Sequence, residues 1–209
     1  MKQEILDRIQ LLGGNIDNAI NKPLLQALQA ITFNTVLYPK PKDTPWQIAE
    51  EAEPVYGIAA FINEHAALFQ QDKTAFYKKI IAHYYVTTEE GRAQVFFRND
   101  LFTPLKAGTA DYDEWNSDFN DPEMVDLHEV VELTGDTQPD FIQIAYSYGF
   151  PDHYYVCLSD PDQENPTVFG TDHEVFFKEI TSYGNLETFF NNFLTPDELV
   201  AMIRKRLEK

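Results

Sequence analysis

The sequence is poor in residues that several protein classes require. One cysteine, Cys157, occurs in 209 residues, so neither an internal disulfide nor a cysteine-based zinc site can form. We therefore expect a reducing compartment, with Cys157 packed in a strand rather than acting as a nucleophile. No stretch of roughly 18 uncharged apolar residues is present, and the N-terminus lacks the apolar region of a secretory signal. Together these absences predict a cytoplasmic protein.

Motifs for phosphate binding and for nucleophilic catalysis are also missing. The sequence has no G-x-S-x-G elbow, no G-x-x-x-x-G-K-[ST] loop and no G-x-G-x-x-G turn. Carboxylate pairs are abundant, but no pattern places one in an apolar pocket that would raise its pKa. We therefore expect a protein that is not an enzyme and that needs no cofactor.

Basic residues are absent from one third of the chain. The net charge is −18, from 16 Lys and Arg against 34 Asp and Glu. Between Ala107 and Phe177 there are 17 acidic residues and no Lys or Arg. Such a surface repels phosphate backbones and anionic membranes, so we expect no binding to nucleic acid or to a membrane. A basic partner is favoured instead, the alternative being that the charge only keeps the protein soluble.

The first half of the sequence has helical spacing. Apolar residues three to four apart predict a first helix ending before Gly13 and a second starting at Pro23, with apolar positions to Ile31 or as far as Val36. A proline-rich connector is predicted at 38–45. Two further helices are predicted, over 55–69 and 74–85. They contain His65 and His83, which we expect to be packed or surface residues rather than metal ligands.

The period then changes to that of strands. Asn185 is expected to cap a short helix, and Thr195 to begin a capping box in a last helix that ends in cations. We therefore predict an α+β fold in one domain, residues 1–209, with helices over 1–92 and a mixed or antiparallel sheet backed by helices over 93–209. The predicted strands, separated by turn signals, are 93–98, 141–148, 154–158, 167–169 and 174–180.

Two acid-rich motifs resemble metal sites but do not complete them. The stretch H-E-V-V-E from His128 begins like a zinc-protease helix, but Glu132 stands where a second His is needed, and the Val pair favours a strand. An EF-hand register starting at Asp118 puts Glu123 where a glycine is needed. We therefore predict no metal site, with an irregular calcium site as the alternative to a solvated acidic loop.

A family resemblance covers residues 139–194. It consists of the strand F-I-Q-I-A from Phe141, the strand Y-Y-V-C-L from Tyr154, the turn and strand N-P-T-V-F-G from Asn165, then D-H-E and the helix L-E-T-F-F from Leu186. This stretch resembles the SUKH superfamily, which joins fungal cell-wall glucan-synthesis regulators to bacterial immunity partners of polymorphic toxins. The resemblance implies an α+β domain that binds another protein and has no catalytic residues.

Aromatic and acidic residues interleave just after the predicted first strand. The mixture suits recognition of a basic protein, because aromatic residues bury area and charge speeds encounter; for Trp115 the alternative is that the ring folds inward. The predicted partner-binding residues are Asp111, Tyr112, Asp113, Glu114, Trp115, Asp118 and Asp121, with Asp160, Asp162 and Glu164 as a second patch.

The leading functional hypothesis is an immunity protein that neutralises a bacterial toxin by binding it. A first alternative is an intracellular regulator or scaffold of cell-wall or glucan synthesis, as the fungal branch of the resembled family implies. A second is a metal-dependent hydrolase that uses the acidic loop together with His128, His153 or His173.

Overall fold

A computed structural model describes residues 1–41, 53–86 and 94–208. These residues form nine helices, a five-stranded sheet and a two-stranded sheet, which confirms the predicted α+β class. No helix within these ranges is long and apolar enough to cross a membrane. The helices are α1 (Gln3–Leu11), α2 (Leu24–Ala30), α3 (Ile58–Glu64), α4 (Ala66–Gln71), α5 (Lys73–Tyr84), α6 (Ala110–Phe119), α7 (His128–Thr134), α8 (Leu186–Asn191) and α9 (Pro196–Leu207). The strands are β1 (Gly14–Asn15), β2 (Thr32–Phe33), β3 (Val95–Phe102), β4 (Phe141–Ser147), β5 (His153–Cys157), β6 (Thr167–Asp172) and β7 (Phe176–Asn185).

The five-stranded sheet is an antiparallel meander. Its strands lie in the order β3-β4-β5-β6-β7, and each pairs antiparallel with the next strand along the chain. Ile142, for example, lies opposite Leu101 on one side and Val156 on the other. Of the two predicted arrangements the antiparallel one is therefore correct. Because consecutive strands run in opposite directions, the β4–β5 and β6–β7 connections emerge at the same end of the sheet.

Each face of the sheet is covered by different helices, because successive side chains of a strand point to opposite faces. On one face Ile142, Val156 and Val168 are fully buried together with apolar residues of α1, α2 and α8. On the other face Phe141 and Phe169 are buried in an aromatic cluster with residues of α6 and α7. Helices α6 and α7, which lie in the acidic segment (residues 107–177), thus form the outer layer of the second face.

A third apolar cluster lies beside strand β3. It joins α3, α5 and α9, and Phe76 and Ile80 of α5 are fully buried in it with Ile203 of α9. Phe96 of β3 belongs to the same cluster. The helices that follow the proline-rich region therefore pack at the β3 side of the molecule.

The side chain of Arg8 connects α1 to the C-terminal helices. Its guanidinium donates to Glu198 Oε1 at 3.2 Å and Oε2 at 2.9 Å, and it also donates to the carbonyl oxygens of Phe190 and Phe193. Lys40 Nζ lies 3.2 Å from the same Glu198 carboxylate. Residues of α1 also share a core with the sheet. The first helix is therefore part of the main core rather than an addition to it.

Several predicted helices have different limits in the structure. The second helix ends at Ala30, so Val36 lies outside it, and Thr32–Phe33 pairs as a strand with Gly14–Asn15. The helix predicted over 55–69 is divided at His65 into α3 and α4. The connector predicted at 38–45 lies outside the described residues from position 42 onward, as does position 93 of the first predicted strand.

The acidic segment differs most from its prediction. Residues 110–119 form helix α6 rather than a loop, and residues 128–134 form helix α7 rather than a strand. Thr109 is the N-cap of helix α6, and its Oγ1 accepts the N–H of Tyr112 at 3.1 Å. Asp111 and Asp113 lie in its first turn, where a negative charge favours a helix.

The predicted N-caps of the last two helices, α8 and α9, are confirmed. Asn185 Oδ1 accepts the N–H of Thr188 at 2.9 Å, and the side chains of Thr195 and Glu198 form the reciprocal capping box of α9. The last turn of α9 carries Arg204, Lys205 and Arg206. Local sequence signals therefore set both of these helix starts.

Candidate functional site

Exposed carboxylates follow one another along α6, α7 and the chain that joins them. Helix α6 presents two of them, the joining residues three, and α7 two. We call this surface the acidic face, and it consists of Asp113, Glu114, Asp121, Glu123, Asp126, Glu129 and Glu132.

The aromatic residues of α6 point away from this surface. The ring of Trp115 lies 4.8 Å from that of Phe176, and the ring of Phe119 lies 5.1 Å from that of Phe177. Both α6 rings also approach Phe102 of β3. The inward alternative for Trp115 therefore holds: its side chain fixes α6 to the sheet, which keeps the acidic face in a defined position.

Few of the 17 acidic residues between Ala107 and Phe177 are paired with a basic one. Among the described residues, the single Lys or Arg within 4.0 Å of their carboxylates is Lys106, whose Nζ lies 3.7 Å from Asp140 Oδ2. On the acidic face, Glu132 lies 4.0 Å from His128, one turn earlier on α7. The negative charge of this face is thus left largely uncompensated within the described chain.

The other predicted partner-binding residues have varied environments. Asp111 Oδ2 accepts the N–H of Thr103 at 2.8 Å and its hydroxyl at 3.2 Å, so this carboxylate fixes the chain before α6. Tyr112 and Asp118 are half-buried. Asp162 and Glu164 are exposed on the turn between β5 and β6.

Asp160 is not available for the partner binding that was predicted for it. The residue is only 3% exposed, and its two carboxylate oxygens accept the N–H groups of Asp162 and Thr167, each at 2.8 Å. A carboxylate that is buried and bonded in this way shapes its own turn. It offers no surface to a partner.

The acidic face also contains exposed apolar side chains that were not predicted. Met124, between α6 and α7, is 51% exposed, and Leu133 on α7 is 39% exposed. Elsewhere, Phe150 in the β4–β5 connection is 78% exposed. The only sequence signal for Met124 and Leu133 is an apolar residue among acids, which a helical reading of residues 110–134 would have placed.

A second group of ionisable residues meets at the end of the sheet where the β4–β5 and β6–β7 connections lie. Asp152, Asp172 and His173 each offer a ligand atom within 4.8 Å of the other two. The Oδ1 atom of Asp152 accepts the N–H of His173 at 3.0 Å, and its Oδ2 atom contacts His173 Nδ1. His153 Nε2 lies 3.7 Å from Asp152 Oδ1.

The two histidines of this group have opposite pKa shifts. The hydrogen bond that His173 donates to Asp152 raises the pKa of His173, which is exposed. Burial lowers the pKa of His153, although the charge of Asp152 works against this effect. Of the three histidines in the hydrolase alternative, His153 and His173 therefore lie together, whereas His128 pairs with Glu132 on α7.

A groove between α5 and α9 has a more basic lining. Its volume is about 440 Å³, and it is lined by Lys73, Lys78 and Arg204 together with Asp197 and Glu208. Lys73 Nζ lies 3.1 Å from Glu208 Oε1. At least this cation therefore has an acidic partner inside the groove, unlike the carboxylates of the acidic face.

Comparisons with protein-family models, with curated proteins and with solved structures find no match for this chain. The resemblance of residues 139–194 to the SUKH superfamily therefore stays a prediction.

Proposed function

We propose that the protein is a non-enzymatic binding module for a basic protein, and that this partner is a toxin which the module neutralises. The observation that carries the proposal is the acidic face, where seven exposed carboxylates lie on α6, on α7 and on the chain that joins them, and aromatic contacts hold α6 to the sheet. A like-charged surface of this kind is costly for the isolated protein, since its charges repel one another. A basic partner offsets that repulsion.

Apolar area on the same face supports a protein as the partner. Met124 and Leu133 present apolar side chains among the carboxylates, and such side chains gain free energy when a partner removes them from water. Small ions or flexible polycations would use the charge without using this area. In this proposal Met124 and Leu133, rather than Trp115, supply the apolar area that the partner buries.

Electrostatic steering predicts how the association rate of the partner depends on salt. A field of this sign raises the association rate of a basic partner by roughly 10-fold to 1000-fold at low salt. The Debye length falls from about 10 Å at 0.1 M salt to about 3 Å at 1 M, so the rate should fall steeply over this range. Dissociation, which depends on short-range contacts, should change less.

The test compares two variants with the same net charge. The partner is first captured from the source cells and purified, and its association rate is then measured at low salt. The acidic-face variant carries Asp113→Asn, Glu114→Gln and Glu123→Gln; the control carries Glu4→Gln, Asp17→Asn and Glu64→Gln, which are exposed residues of the N-terminal helices and their connections. We expect association to slow by about 10-fold or more in the first variant and by less than about 2-fold in the control. Equal rates for the two variants would mean that the charge acts only on solubility.

A second measurement addresses the toxin. The captured partner is expressed alone and together with the protein in a sensitive host. We expect the partner alone to stop growth and co-expression to restore it. A harmless partner that belongs to the cell-wall synthesis machinery would instead support the regulator alternative.

A further inference from the structure

The end of the sheet holds two carboxylates in an unfavourable arrangement. The last paired residues of β5 and β6 at this end are His153 and Thr171, so Asp152 and Asp172 come opposite each other one step further. Like charges directly opposite on neighbouring strands destabilise a sheet. The Asp152 and Asp172 side chains are only 11% and 14% exposed, so water screens this repulsion weakly.

No basic side chain of the usual kind compensates these carboxylates. Within the described ranges, no Lys or Arg lies within 4.0 Å of either one, and the nearby groups are the imidazoles of His173 and His153. Buried carboxylates are normally paired with a cation or coordinate a metal. Imidazole and carboxylate together are also the common ligands of zinc and related ions.

We propose that Asp152, Asp172 and His173 bind a divalent transition-metal ion, which joins the β4–β5 connection to the β6–β7 connection. This site is separate from the acidic face, and the proposal does not depend on partner binding. It shares His173 with the hydrolase alternative of the sequence analysis, but its carboxylates are Asp152 and Asp172 rather than the acidic residues of α6.

The separations are close to those of a metal site. Ligand atoms about 2.0 to 2.1 Å from a tetrahedral ion lie about 3.3 Å from one another. His173 Nδ1 is 3.9 Å from Asp172 Oδ1, and no pair of the three ligand atoms is more than 4.8 Å apart. Movements of about 1 Å at the side-chain ends would create the site, with the Asp152 to His173 contact opening as the ion enters.

Neighbouring groups support the orientation of the ligands. Asp152 Oδ1 accepts the backbone N–H of His173, and Asp172 Oδ1 accepts that of Glu174 at 2.8 Å, so both carboxylates are fixed by the chain. A further imidazole nitrogen, His153 Nε2, lies 3.7 Å from Asp152 Oδ1, and His153 Nδ1 lies 3.3 Å from the Tyr155 hydroxyl. Such outer contacts orient metal-ligating side chains.

The ligand set indicates which ions bind. An imidazole with two carboxylates suits Zn²⁺ and Co²⁺, whereas Ca²⁺ takes six to eight oxygen ligands and Mg²⁺ needs an octahedral oxygen shell. We therefore expect Zn²⁺ to bind with one-to-one stoichiometry and Ca²⁺ or Mg²⁺ to compete weakly.

The experiment is calorimetric titration of Zn²⁺ into the full chain, purified without a histidine tag and dialysed against a chelator. His173→Ala is the main variant, because this side chain is exposed and its loss leaves the carboxylates in place. Asp172→Asn is a second ligand variant, and His128→Ala is the control, since it removes an exposed histidine beside an acid. Circular dichroism verifies that each variant is folded.

We expect His173→Ala and Asp172→Asn each to weaken Zn²⁺ binding at least 10-fold, and His128→Ala to change it less than about 2-fold. Co²⁺ bound to the wild-type protein should give a visible absorption spectrum that Zn²⁺ abolishes. The proposal is overturned if the wild-type protein binds no Zn²⁺, if folded His173→Ala binds it as tightly as wild type, or if Ca²⁺ displaces it at equal concentration.

Discussion

Carboxylates have opposite roles in two regions of this molecule. Glu198, at the start of α9, receives two hydrogen bonds from Arg8 and an ion pair from Lys40, and so it joins three parts of the chain. Carboxylates of the acidic face are exposed and, in the described residues, have no Lys or Arg partner. Removing one partner of a charge pair inside the molecule destabilises the fold, whereas unpaired surface charge contributes to the rate of association.

The pKa of Glu198 reflects its partners. Burial works to raise it, but the hydrogen bonds from Arg8, the Thr195 backbone and Lys40 outweigh burial and lower the pKa to about 2. The carboxylate stays charged because the fold places Arg8 and Lys40 beside it. Within the described residues, no Lys or Arg lies within 4.0 Å of a carboxylate of the acidic face, and the following variants test this difference.

The largest expected effect comes from removing the layer that supports the acidic face. Phe177 is fully buried, and its ring lies 5.0 Å from those of Phe141 and Tyr155 and 5.1 Å from that of Phe119. Phe177→Ala should lower the free energy of unfolding by about 3 to 5 kcal/mol, measured by denaturant unfolding. The control is Phe150→Ala, which deletes the same ring at an exposed position and should cost less than about 0.5 kcal/mol. Similar losses in both variants would show that Phe177 is not central to this layer.

A second variant breaks the paired region. Arg8→Met keeps the side-chain length but removes the Arg8 hydrogen bonds to the Phe190 and Phe193 carbonyls and to Glu198, so unfolding free energy should fall by about 2 to 3 kcal/mol. Lys2→Met is the matched control, since Lys2 is a cation whose side chain is 38% exposed, against 13% for Arg8, and lies 3.7 Å from Glu187. That control should cost less than about 0.5 kcal/mol. Equal costs would remove the distinction between the two kinds of ion pair.

The pH dependence of stability provides a third test. Because the pKa of Glu198 is lower in the folded protein than its ordinary value of 4.5, its stabilising effect is complete above pH 4.5. That effect is lost as the pH falls toward about 2. Glu198→Gln should therefore destabilise the protein at pH 7, and the difference from wild type should shrink between pH 4.5 and pH 2. Thermal unfolding of both proteins across this range measures it; a difference that stays constant with pH would contradict the assignment.

The smallest expected effect is on the stability of the acidic face itself. The variant with Asp113→Asn, Glu114→Gln and Glu123→Gln should have a free energy of unfolding within about 0.5 kcal/mol of wild type, because exposed side chains contribute little. Removing like charges favours the folded state at low salt, whereas losing the Asp113 charge from the first turn of α6 disfavours it, so the two effects offset one another. Both effects should diminish at 1 M salt, where the Debye length is about 3 Å. A clear loss of stability would mean that these carboxylates have internal partners.

The sequence predicted elements whose signals are local. The caps at Asn185 and Thr195 need only neighbouring residues, and the strands from Phe141 to Ile180 follow from alternation and turn residues. Helices α6 and α7 were missed because their residues favour loops or strands on their own: α6 is rich in Asp, Asn and Ser, and α7 contains a Val pair. They are helical because Trp115, Phe119 and Val130 pack on residues far along the chain.

The cluster at the end of the sheet was beyond sequence reasoning for a related reason. Asp152 and Asp172 are distant in sequence, and they meet only because the β5–β6 register pairs His153 with Thr171. Since a one-residue change of register moves every side chain to the other face, no motif could establish this contact. The acidic composition, by contrast, was visible directly, and the structure adds which acids are exposed.

The contact between Arg8 and Glu198 also constrains how the chain matures during translation. The two residues are 190 positions apart. At a synthesis rate of about 5 to 20 residues per second, Glu198 is added about 10 to 40 s after Arg8. During that interval α1 has neither its ion-pair partner nor α8 to cover Ile5 and Ile9, which are fully buried in the finished protein. Until α8 is synthesised, the buried side of α1 therefore lacks part of the apolar cover that it has in the folded protein.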